Sequence, residues 1–454
     1  MPRRIPAILA GAVAFAVLAF VLFFVSDGHD TPTARSQTSV RLRFTYWGSI
    51  EEKRAIETAM AKFMERYPWI SVEAIQIPKS DYNTRILAMS SANEEPDLGY
   101  MTTELGELLA KQGNFLNLFD FIEEDADLSK DEFLDFVWHQ VEPGEAWGAS
   151  IAVECYGLFY RRDLFELAGI DPPPARAEEA WSWEQFVDAA KRLTLDNMGR
   201  NAFHPEFDKD NIVQYGVMFE TWSEPISNFV FANGGRWVDD DGKRFLLNEP
   251  EAAQAIQMLA DLTNVHHVAP SLFESKSLPA MNVALQAGLA AMIIDGQWIN
   301  LDLGKAGVDY DIGVLPKLKR SVTVSTSGAN VIFASTEHPE EAWLLIKWLL
   351  DPNEAIDLYA DGLWMPTLKA WYTDPELIDR WVSVNPVAHP PGFVDAMMNQ
   401  LLDNGVKGIG YYLKHQGEIF PVVNRELIPV WLGRKSAQEA LDDLKVLVDP
   451  YFPQ

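Results

Sequence analysis

The chain has 454 residues, more than the roughly 250 to 300 at which single hydrophobic cores stop growing, so two domains are expected. Its 37 Lys and Arg residues against 66 Asp and Glu residues give a formal net charge of −29, which disfavours binding to nucleic acid or to an anionic lipid surface. The single cysteine excludes an internal disulfide bond.

The N-terminal segment has the composition of a membrane-entering sequence. Arg3 and Arg4 precede an uncharged apolar run over residues 5–25, which is long enough for a helix to cross a bilayer. Residues 1–25 are therefore either a retained transmembrane anchor or a cleaved signal sequence, and the length of the run favours the anchor. Because positive residues stay inside, the rest of the chain is expected outside the cytoplasm. Residues 26–39 are polar and aperiodic, which predicts a flexible linker.

The globular part is predicted to begin at residue 40 with alternating strands and helices. The stretch VRLRFTYW alternates like a strand, and the segment after it places Ile56, Met60, Phe63 and Met64 on one helical face before Pro68 ends the helix. ISVEAIQI is predicted as a second strand. A strand–helix–strand order is typical of an α/β fold with a mainly parallel sheet.

Further helices and strands follow along the chain. Helices are predicted for WSWEQFVDAAKRLT with Ser182 as N-cap, after Pro250, and over HPEEAWLLIKWLLD. FANGGRWVDDDGKRFLLN is predicted to form a hairpin, in which Gly234 and Gly235 and the DDDG run supply residues that tolerate positive φ. YDIGVLPKLK and GANVIFAS are predicted strands of a mixed sheet. The C-terminal region is predicted as helix, turn and helix, with Ser436 as the second N-cap.

Several motifs, taken in order, resemble those of one protein family. The stretch IAVECYGLFYRRDLFELAGIDPPP, followed by WSWEQFVDAAKRLT, is similar to the middle of the family 1 extracellular solute-binding proteins, the maltose-binding-protein type of ABC importer receptor. The stretches FMERYPWISVEAI, EEPDLGY, LQAGLAAMIIDGQW, IGVLPKLK, STSGAN and GLWMPTL are similar to other parts of this family. Together the motifs span roughly residues 40 to 440 in the family's order.

The resemblance implies an α/β, type II periplasmic-binding-protein-like fold with two hinge-linked lobes and the ligand in the cleft between them. It places the first lobe at residues 40–152 plus about 317–350, and the second at residues 153–316 plus about 351–454. The first crossing between the lobes is then expected around Ala152 to Tyr156.

Four residues around two of these motifs are candidate ligand contacts. The resemblance aligns Glu154, a carboxylate in an apolar stretch, with a family glutamate that bonds sugar, and aligns Trp298 with a stacking tryptophan. Tyr156 would share the strand face of Glu154, since strand side chains alternate. Asp295 is a candidate for bonding a hydroxyl or for capping the next helix. For Glu154 and Tyr156 the alternative is a hinge hydrogen bond or simple packing.

Further candidates follow from the chemistry of sugars, which offer apolar C–H faces to aromatic rings and hydroxyls to polar groups. These candidates lie at predicted strand ends or in loops, and the alternatives for them are core packing or turn formation. They are Trp47, Glu104, Trp222, Ser327, Asn330 and Trp364.

By resemblance, the protein captures a sugar or oligosaccharide and delivers it to the permease of an ABC transporter. No enzymatic activity, cofactor or metal is expected, and the sequence has no Walker-type glycine loop, so ATP hydrolysis would belong to a partner. The open alternatives are a polyol, sugar phosphate or peptide ligand, a signalling partner, and a glycoside hydrolase that pairs Glu154 with Asp295 or Glu104. Met101 stands where the maltose receptor has a stacking tryptophan, which argues against maltodextrin as the ligand.

Overall fold

The structure is a computed structural model that describes residues 39–452. The predicted membrane segment, residues 1–25, and the predicted linker up to residue 38 lie outside the described residues. Within the described range, no helix combines the length and the apolar character needed to cross a bilayer.

The strands are short and are numbered in chain order. They are β1 (Val40–Tyr46), β2 (Ile70–Gln76), β3 (Leu98–Met101), β4 (Trp138–Gln140), β5 (Ala146–Ala149), β6 (Tyr156–Arg161), β7 (Leu195–Asp196), β8 (Ile212–Phe219), β9 (Ala290–Gly296), β10 (Tyr310–Gly313), β11 (Thr323–Ser325), β12 (Ala329–Ile332) and β13 (Gly405–Lys407).

The α-helices are also numbered in chain order. They are α1 (Ile50–Arg66), α2 (Lys79–Ser91), α3 (Thr103–Lys111), α4 (Leu118–Glu124), α5 (Arg162–Ala168), α6 (Trp183–Leu193), α7 (Ser223–Ala232), α8 (Pro250–Asn264), α9 (Leu272–Ser275), α10 (Met281–Gln286), α11 (Ile299–Ala306), α12 (Pro339–Leu350), α13 (Ile356–Ala360), α14 (Ala370–Thr373), α15 (Pro375–Ile378), α16 (Gln400–Asn404), α17 (Gln416–Trp431) and α18 (Ala437–Val448). Short π-helical segments lie at Asp379–Ser383 and Val394–Asn399.

Two mixed sheets organise the fold. The six-stranded sheet has the order β2-β1-β3-β12-β5-β4, in which β1 runs parallel to β2 and β3, and β12 runs antiparallel to β3 and β5. The five-stranded sheet has the order β10-β6-β9-β8-β7, in which β8 and β9 are parallel and the other pairs antiparallel. A separate parallel pair joins β11 to β13. The α/β class and the mixed sheet predicted from the sequence are confirmed.

Alternation along β6 and β9 explains why helices cover both faces of the second sheet. Phe159 and Ile293 point into an apolar cluster that is continuous with the core of the first sheet. Leu158 and Ile294, one residue away on each strand, point into a second cluster built with the C-terminal helices. Strands that are apolar on both faces are expected where a sheet is covered on both sides.

Local sequence signals set the helix ends. Ser182 and Ser436 form capping boxes at the starts of α6 and α18, where each serine hydroxyl accepts a hydrogen bond from a backbone N–H in the first turn. Pro250 lies in the first turn of α8, where its missing N–H is no loss. These helix starts agree with the predictions.

Three chain segments lie side by side between the two sheets. The N–H of Glu154 donates to the carbonyl of Thr326 over 3.1 Å, and the N–H of Thr326 donates back over 2.9 Å. The N–H of Val153 donates to the carbonyl of Met365 over 3.0 Å. Cys155, the one cysteine, is fully buried at this point, with its Sγ atom 3.7 Å from the Sδ atom of Met397. Burial raises the pKa of the Cys155 thiol to about 12.

Two local predictions need correction. The predicted hairpin is present only as one bridge, between Val238 and Phe245 on either side of the DDDG run, while the residues before Gly234 belong to helix α7. The strand expected to carry both Glu154 and Tyr156 begins only at Tyr156, since residues 153 and 154 form isolated bridges with other segments.

Candidate functional site

One edge of the second sheet gathers three of the predicted site residues. Tyr156, at the start of β6, pairs with Gly296 at the end of β9, which places Asp295 beside Gly157. Glu154 lies two residues before Tyr156 and is half-buried. Because β8 is parallel to β9, its carboxyl end reaches the same edge. The edge therefore carries a carboxylate from each of two chain segments around one buried tyrosine.

The first sheet presents an aromatic edge. Trp47 directly follows β1, and its ring meets Tyr82 at 4.8 Å and Tyr100 at 5.0 Å between centroids, both edge-on. Asn330 pairs with Tyr100 in the strand register, so it lies at this edge as well. Gly328 is required here, because a Cβ atom would lie 2.8 Å from the Trp47 ring. Trp47 and Asn330 are thus brought together, as the prediction of a common site requires.

A second indole stands at the edge of the five-stranded sheet. Trp298 follows β9 and contacts Tyr156 edge-on, with ring centroids 5.6 Å apart. Its ring lies against the backbone at Gly296, where a Cβ atom would come within 2.0 Å of it. The missing side chain therefore fixes where the Trp298 indole can lie.

Charged groups near the ends of the two sheets act on one another, and we call the region that they surround the interlobe cleft. The carboxyl of Glu52, in the first turn of α1, is influenced by Glu154 and by Asp302 of α11. Helices α1 and α11, which carry Glu52 and Asp302, also pack against each other.

The carboxyl groups of the cleft are hard to ionise. Desolvation raises the pKa of Glu154 to about 7, and that of Asp295 also to about 7. Desolvation and the neighbouring Glu104 raise the pKa of Glu224 to about 7. Desolvation, with the nearby charges of Glu154 and Asp302, raises the pKa of Glu52 to about 8. Water reaches several of these groups, but protein surrounds them on most sides, which is the setting in which burial disfavours the charged form.

Lys79 is the cation that acts on this cluster within residues 39–452. Its charge lowers the pKa of Glu52, Glu154 and Glu224, although desolvation is the larger effect at each. Its ammonium lies 3.5 Å above the centre of the Trp47 ring, a cation–π contact. Its own pKa is lowered by desolvation.

Several buried polar atoms in the cleft region have no hydrogen-bond partner among the described residues. They are the hydroxyls of Tyr100 and Tyr156, Oε2 of Glu224 and Oδ1 of Asn330. Buried polar groups are normally paired, so four such atoms near one space indicate that something else satisfies them in function.

The remaining predicted residues have different surroundings. Trp222 precedes α7 and is 41% exposed, at the edge of the cleft region. Ser327 donates to the carbonyl of Gly328 over 3.1 Å, which is the turn role that was the alternative for it. Glu104 lies in the first turn of α3, and its charge acts on Lys79 and Glu224.

Trp364 has a packing partner that the sequence did not indicate. It is 3% exposed and lies edge-on to Tyr359 of α13 at 6.0 Å, inside the core. Core packing, the alternative given for Trp364, describes its surroundings, because α13 folds back onto the loop. Its role as a ligand contact stays a prediction.

Sequence reasoning missed four residues of the cleft: Glu52, Lys79, Tyr100 and Glu224. Glu224 had a weak signal in the sequence, since it lies two residues after the candidate Trp222. Glu52 and Lys79 look like ordinary polar residues at helix starts, and only the approach of the other lobe gives them a special environment. No cluster of three or more His, Cys, Asp or Glu side chains suited to a metal ion occurs among residues 39–452.

Comparisons with known proteins agree with this geometry. The model of the family of bacterial extracellular solute-binding proteins matches residues 47–356. A protein of Escherichia coli strain K12 that carries the name ABC transporter periplasmic-binding protein YcjN is 24% identical over 353 residues, which cover 74% of this chain and 75% of that protein.

Solved structures show the same fold. An ABC substrate-binding protein from Listeria monocytogenes, in complex with cycloalternan, matches with a TM-score of 0.78 at 20% identity, over 91% of this chain and 100% of that one. The maltose/maltodextrin-binding domain MalE from Bdellovibrio bacteriovorus, bound to maltotriose, matches with a TM-score of 0.72 at 17% identity, over 90% and 99%. These relatives are binding proteins rather than enzymes. The resemblance predicted from the motifs is confirmed, and the chain belongs to the family of bacterial extracellular solute-binding proteins.

Proposed function

We propose that the protein binds a sugar or oligosaccharide in the interlobe cleft and delivers it to the permease of an ABC transporter. The observation that carries this proposal is that each of two indoles, Trp47 and Trp298, follows the end of a strand, one in each sheet, and that the carboxyl groups of Glu154 and Asp295 lie at the Tyr156 edge that Trp298 contacts. Aromatic faces suit the C–H surface of a sugar ring, and carboxylates suit its hydroxyls.

The ligands of similar proteins support a carbohydrate. The Listeria protein was solved with cycloalternan and the Bdellovibrio domain with maltotriose. Both are oligosaccharides, and both proteins share the two-lobed fold. The proposal transfers the ligand class to this chain and leaves the particular sugar to be measured.

Lobe closure would convert ligand binding into a signal for the permease. In the proposed arrangement, residues 40–152 with about 317–350 form one lobe, and residues 153–316 with about 351–454 form the other. The paired backbone at Glu154 and Thr326 lies where the two lobes join and would act as the hinge. A sugar that contacts both walls favours the closed state, because it gains contacts that the open state lacks.

The N-terminal segment completes the proposal. Residues 5–25 would hold the protein at the outer face of the cell membrane, and the polar residues after them would act as a tether. A tethered receptor stays at high local concentration near its transporter. If the anchor is retained, the mature protein remains with the membrane fraction after a carbonate wash, whereas a cleaved product is released.

The test is a thermal-shift screen of the full chain in a mild detergent, followed by calorimetry. The panel contains neutral mono- and oligosaccharides, amino sugars, polyols, sugar phosphates and short peptides. A ligand that binds only the folded state raises the melting temperature by mass action. One-to-one binding of a sugar that is recovered unchanged supports the proposal. Binding restricted to a peptide, a polyol or a phosphate contradicts it, as does steady hydrolysis of the sugar.

A further inference from the structure

We infer that the ligand is a positively charged sugar, a saccharide that carries at least one protonated amine held by the carboxylates of the cleft. This inference rests on the proposed function and adds the charge of the ligand to it. A neutral sugar needs hydroxyl partners only, whereas the cleft gathers more carboxyl groups than such partners require, and a bound cation would favour their ionised forms.

Carboxyl groups from both lobes converge on the cleft. They come from α1, α3 and the segment before β6, from α7, from the end of β9 and from α11, and they are Glu52, Glu104, Glu154, Glu224, Asp295 and Asp302. Against them stands one cation among the described residues, Lys79. Like charges brought together out of bulk water repel, and an opposite charge placed among them relieves both the repulsion and the desolvation.

Unpartnered acceptors inside the cluster provide an independent observation. Oε2 of Glu224 lacks a hydrogen-bond partner within residues 39–452, and this side chain is only 7% exposed. The hydroxyl of Tyr156 is also unpartnered, and this residue is 1% exposed. The charges of Glu224, Asp295 and Glu154 all act on that hydroxyl. Ionised Glu224 can only accept hydrogen bonds and the Tyr156 hydroxyl can also accept one, so a ligand that brings donors satisfies both groups.

An ammonium group fits this requirement better than a hydroxyl. It carries three N–H donors and no acceptor, and its hydrogen bonds to carboxylates are about twice as strong as neutral ones. A sugar hydroxyl brings only one donor and no positive charge, so it stabilises the ionised carboxylates less. A sugar phosphate brings negative charge into a space that already holds an excess of it.

Lys79 illustrates how the cleft holds a cation. Its ammonium lies above the Trp47 indole at 3.5 Å from the ring centre, within the field of Glu52, Glu154 and Glu224. An indole face next to carboxylates is a favourable place for any ammonium, because the ring quadrupole and the charges both attract it. An amine on a sugar ring stacked near Trp298 would meet the same combination of groups on the other lobe.

The experiment compares matched sugars by calorimetry on the full chain in a mild detergent at pH 6.5 or so and low salt. The pairs are glucosamine with glucose, galactosamine with galactose, and β-1,4-linked glucosamine di- and trisaccharides with cellobiose and cellotriose. The N-acetylated forms serve as bulk-matched neutral controls, and maltose and maltotriose are included as neutral sugars. We expect the best amino sugar to bind at least about 10-fold more tightly than its neutral partner and its N-acetylated form.

Two further readouts separate charge from shape. Raising the salt concentration from about 20 mM to 500 mM should weaken the amino sugar several-fold and leave any neutral sugar nearly unchanged, since salt screens charge interactions. Calorimetry in buffers of different ionisation enthalpy should show proton release, because a bound cation favours the ionised forms of Glu154 and Asp295.

Variants test the assigned carboxyls. Glu154→Gln and Glu224→Gln keep the shape of the side chain and should each reduce the preference for the amino sugar by about 10-fold or more. Glu166→Gln, at an exposed position of α5, is the matched control and should change nothing. The salt and proton readouts use the unmodified protein, so the inference stays testable if a variant fails to fold.

The outcomes test two claims separately: that the protein binds a sugar, and that this sugar is positively charged. Tight binding of an amino sugar with weak binding of its neutral partners supports both. A neutral sugar that binds as tightly as every amino sugar overturns the charge inference and leaves the sugar-receptor proposal standing. Binding of no sugar at all, in a protein that melts cooperatively, overturns both.

Discussion

Replacing Glu224 by glutamine should stabilise the ligand-free protein at pH 8 and leave its stability nearly unchanged at pH 5. Desolvation raises the pKa of Glu224 from 4.5 to about 7 in the folded protein. Between these two values the unfolded chain has lost the proton that the folded protein still holds. Stability therefore falls as the pH rises through this window, and the loss is complete above the folded pKa.

The magnitude follows from the size of the shift. A displacement of one pKa unit corresponds to about 1.4 kcal/mol, so the charged form of Glu224 costs the folded state at most about 3 kcal/mol at pH 8. Glutamine has the same shape and no charge, and its amide brings a donor that needs its own partner. We therefore expect a gain of about 1 to 3 kcal/mol in the free energy of unfolding at pH 8.

The assay is urea unfolding followed by tryptophan fluorescence, on protein freed of ligand, at pH 5 and pH 8. The free energies of unfolding of the wild type, Glu224→Gln and the exposed control Glu166→Gln are compared, provided that their dependence on urea concentration is the same. The reasoning is refuted if Glu224→Gln is less stable than the wild type at pH 8, or if the difference between the two is the same at both pH values.

Three other changes test further parts of the structure. Trp298→Ala should weaken binding of the cognate sugar by about 2 to 4 kcal/mol in calorimetry, as expected for a central aromatic contact, and unchanged affinity would remove this residue from the site. Gly216→Ala should destabilise the fold by about 1 to 3 kcal/mol, because its Cβ atom would lie 2.1 Å from the carbonyl oxygen of Ala190, whereas Gly417→Ala, with no atom within 4 Å, should not lower the melting temperature. Asp196→Asn should lower the melting temperature and speed proteolysis over residues 196–208, since the Asp196 carboxylate accepts three backbone N–H bonds and a guanidinium bond in this loop. An unchanged digestion pattern would contradict that last expectation.

Local patterns predicted those parts of the fold that depend on neighbouring residues. The first strand, the helix after it and the second strand were predicted within a few residues, because the alternation and the helical spacing there are regular. The hairpin forms only around the DDDG run and was predicted too long, since turn residues alone do not tell where the preceding helix ends. Trp364 packs in the core because helix α13, just before it in sequence, folds back onto the loop, which the loop residues alone do not indicate.

The site was predictable where one short segment carries both a carboxyl group and an aromatic residue. Glu154 and Tyr156 stand together in one stretch, and the strand register brings Asp295 beside them. Glu52 and Glu224 were missed since their character depends on groups that are distant in sequence. A glutamate in a first helical turn usually faces solvent, and only the assembled cleft turns these two into desolvated acids.

The burial of Cys155 makes its thiol a natural probe of local opening in the chain. The thiol lies fully buried beside the joined segments, its raised pKa keeps it almost wholly protonated, and the chain has no second cysteine to confuse the signal. A thiol reagent reacts with the thiolate, so labelling has to wait for a fluctuation that exposes this atom. The labelling rate therefore measures how often the chain opens around Cys155, and a bound ligand that stabilises this region should slow the labelling.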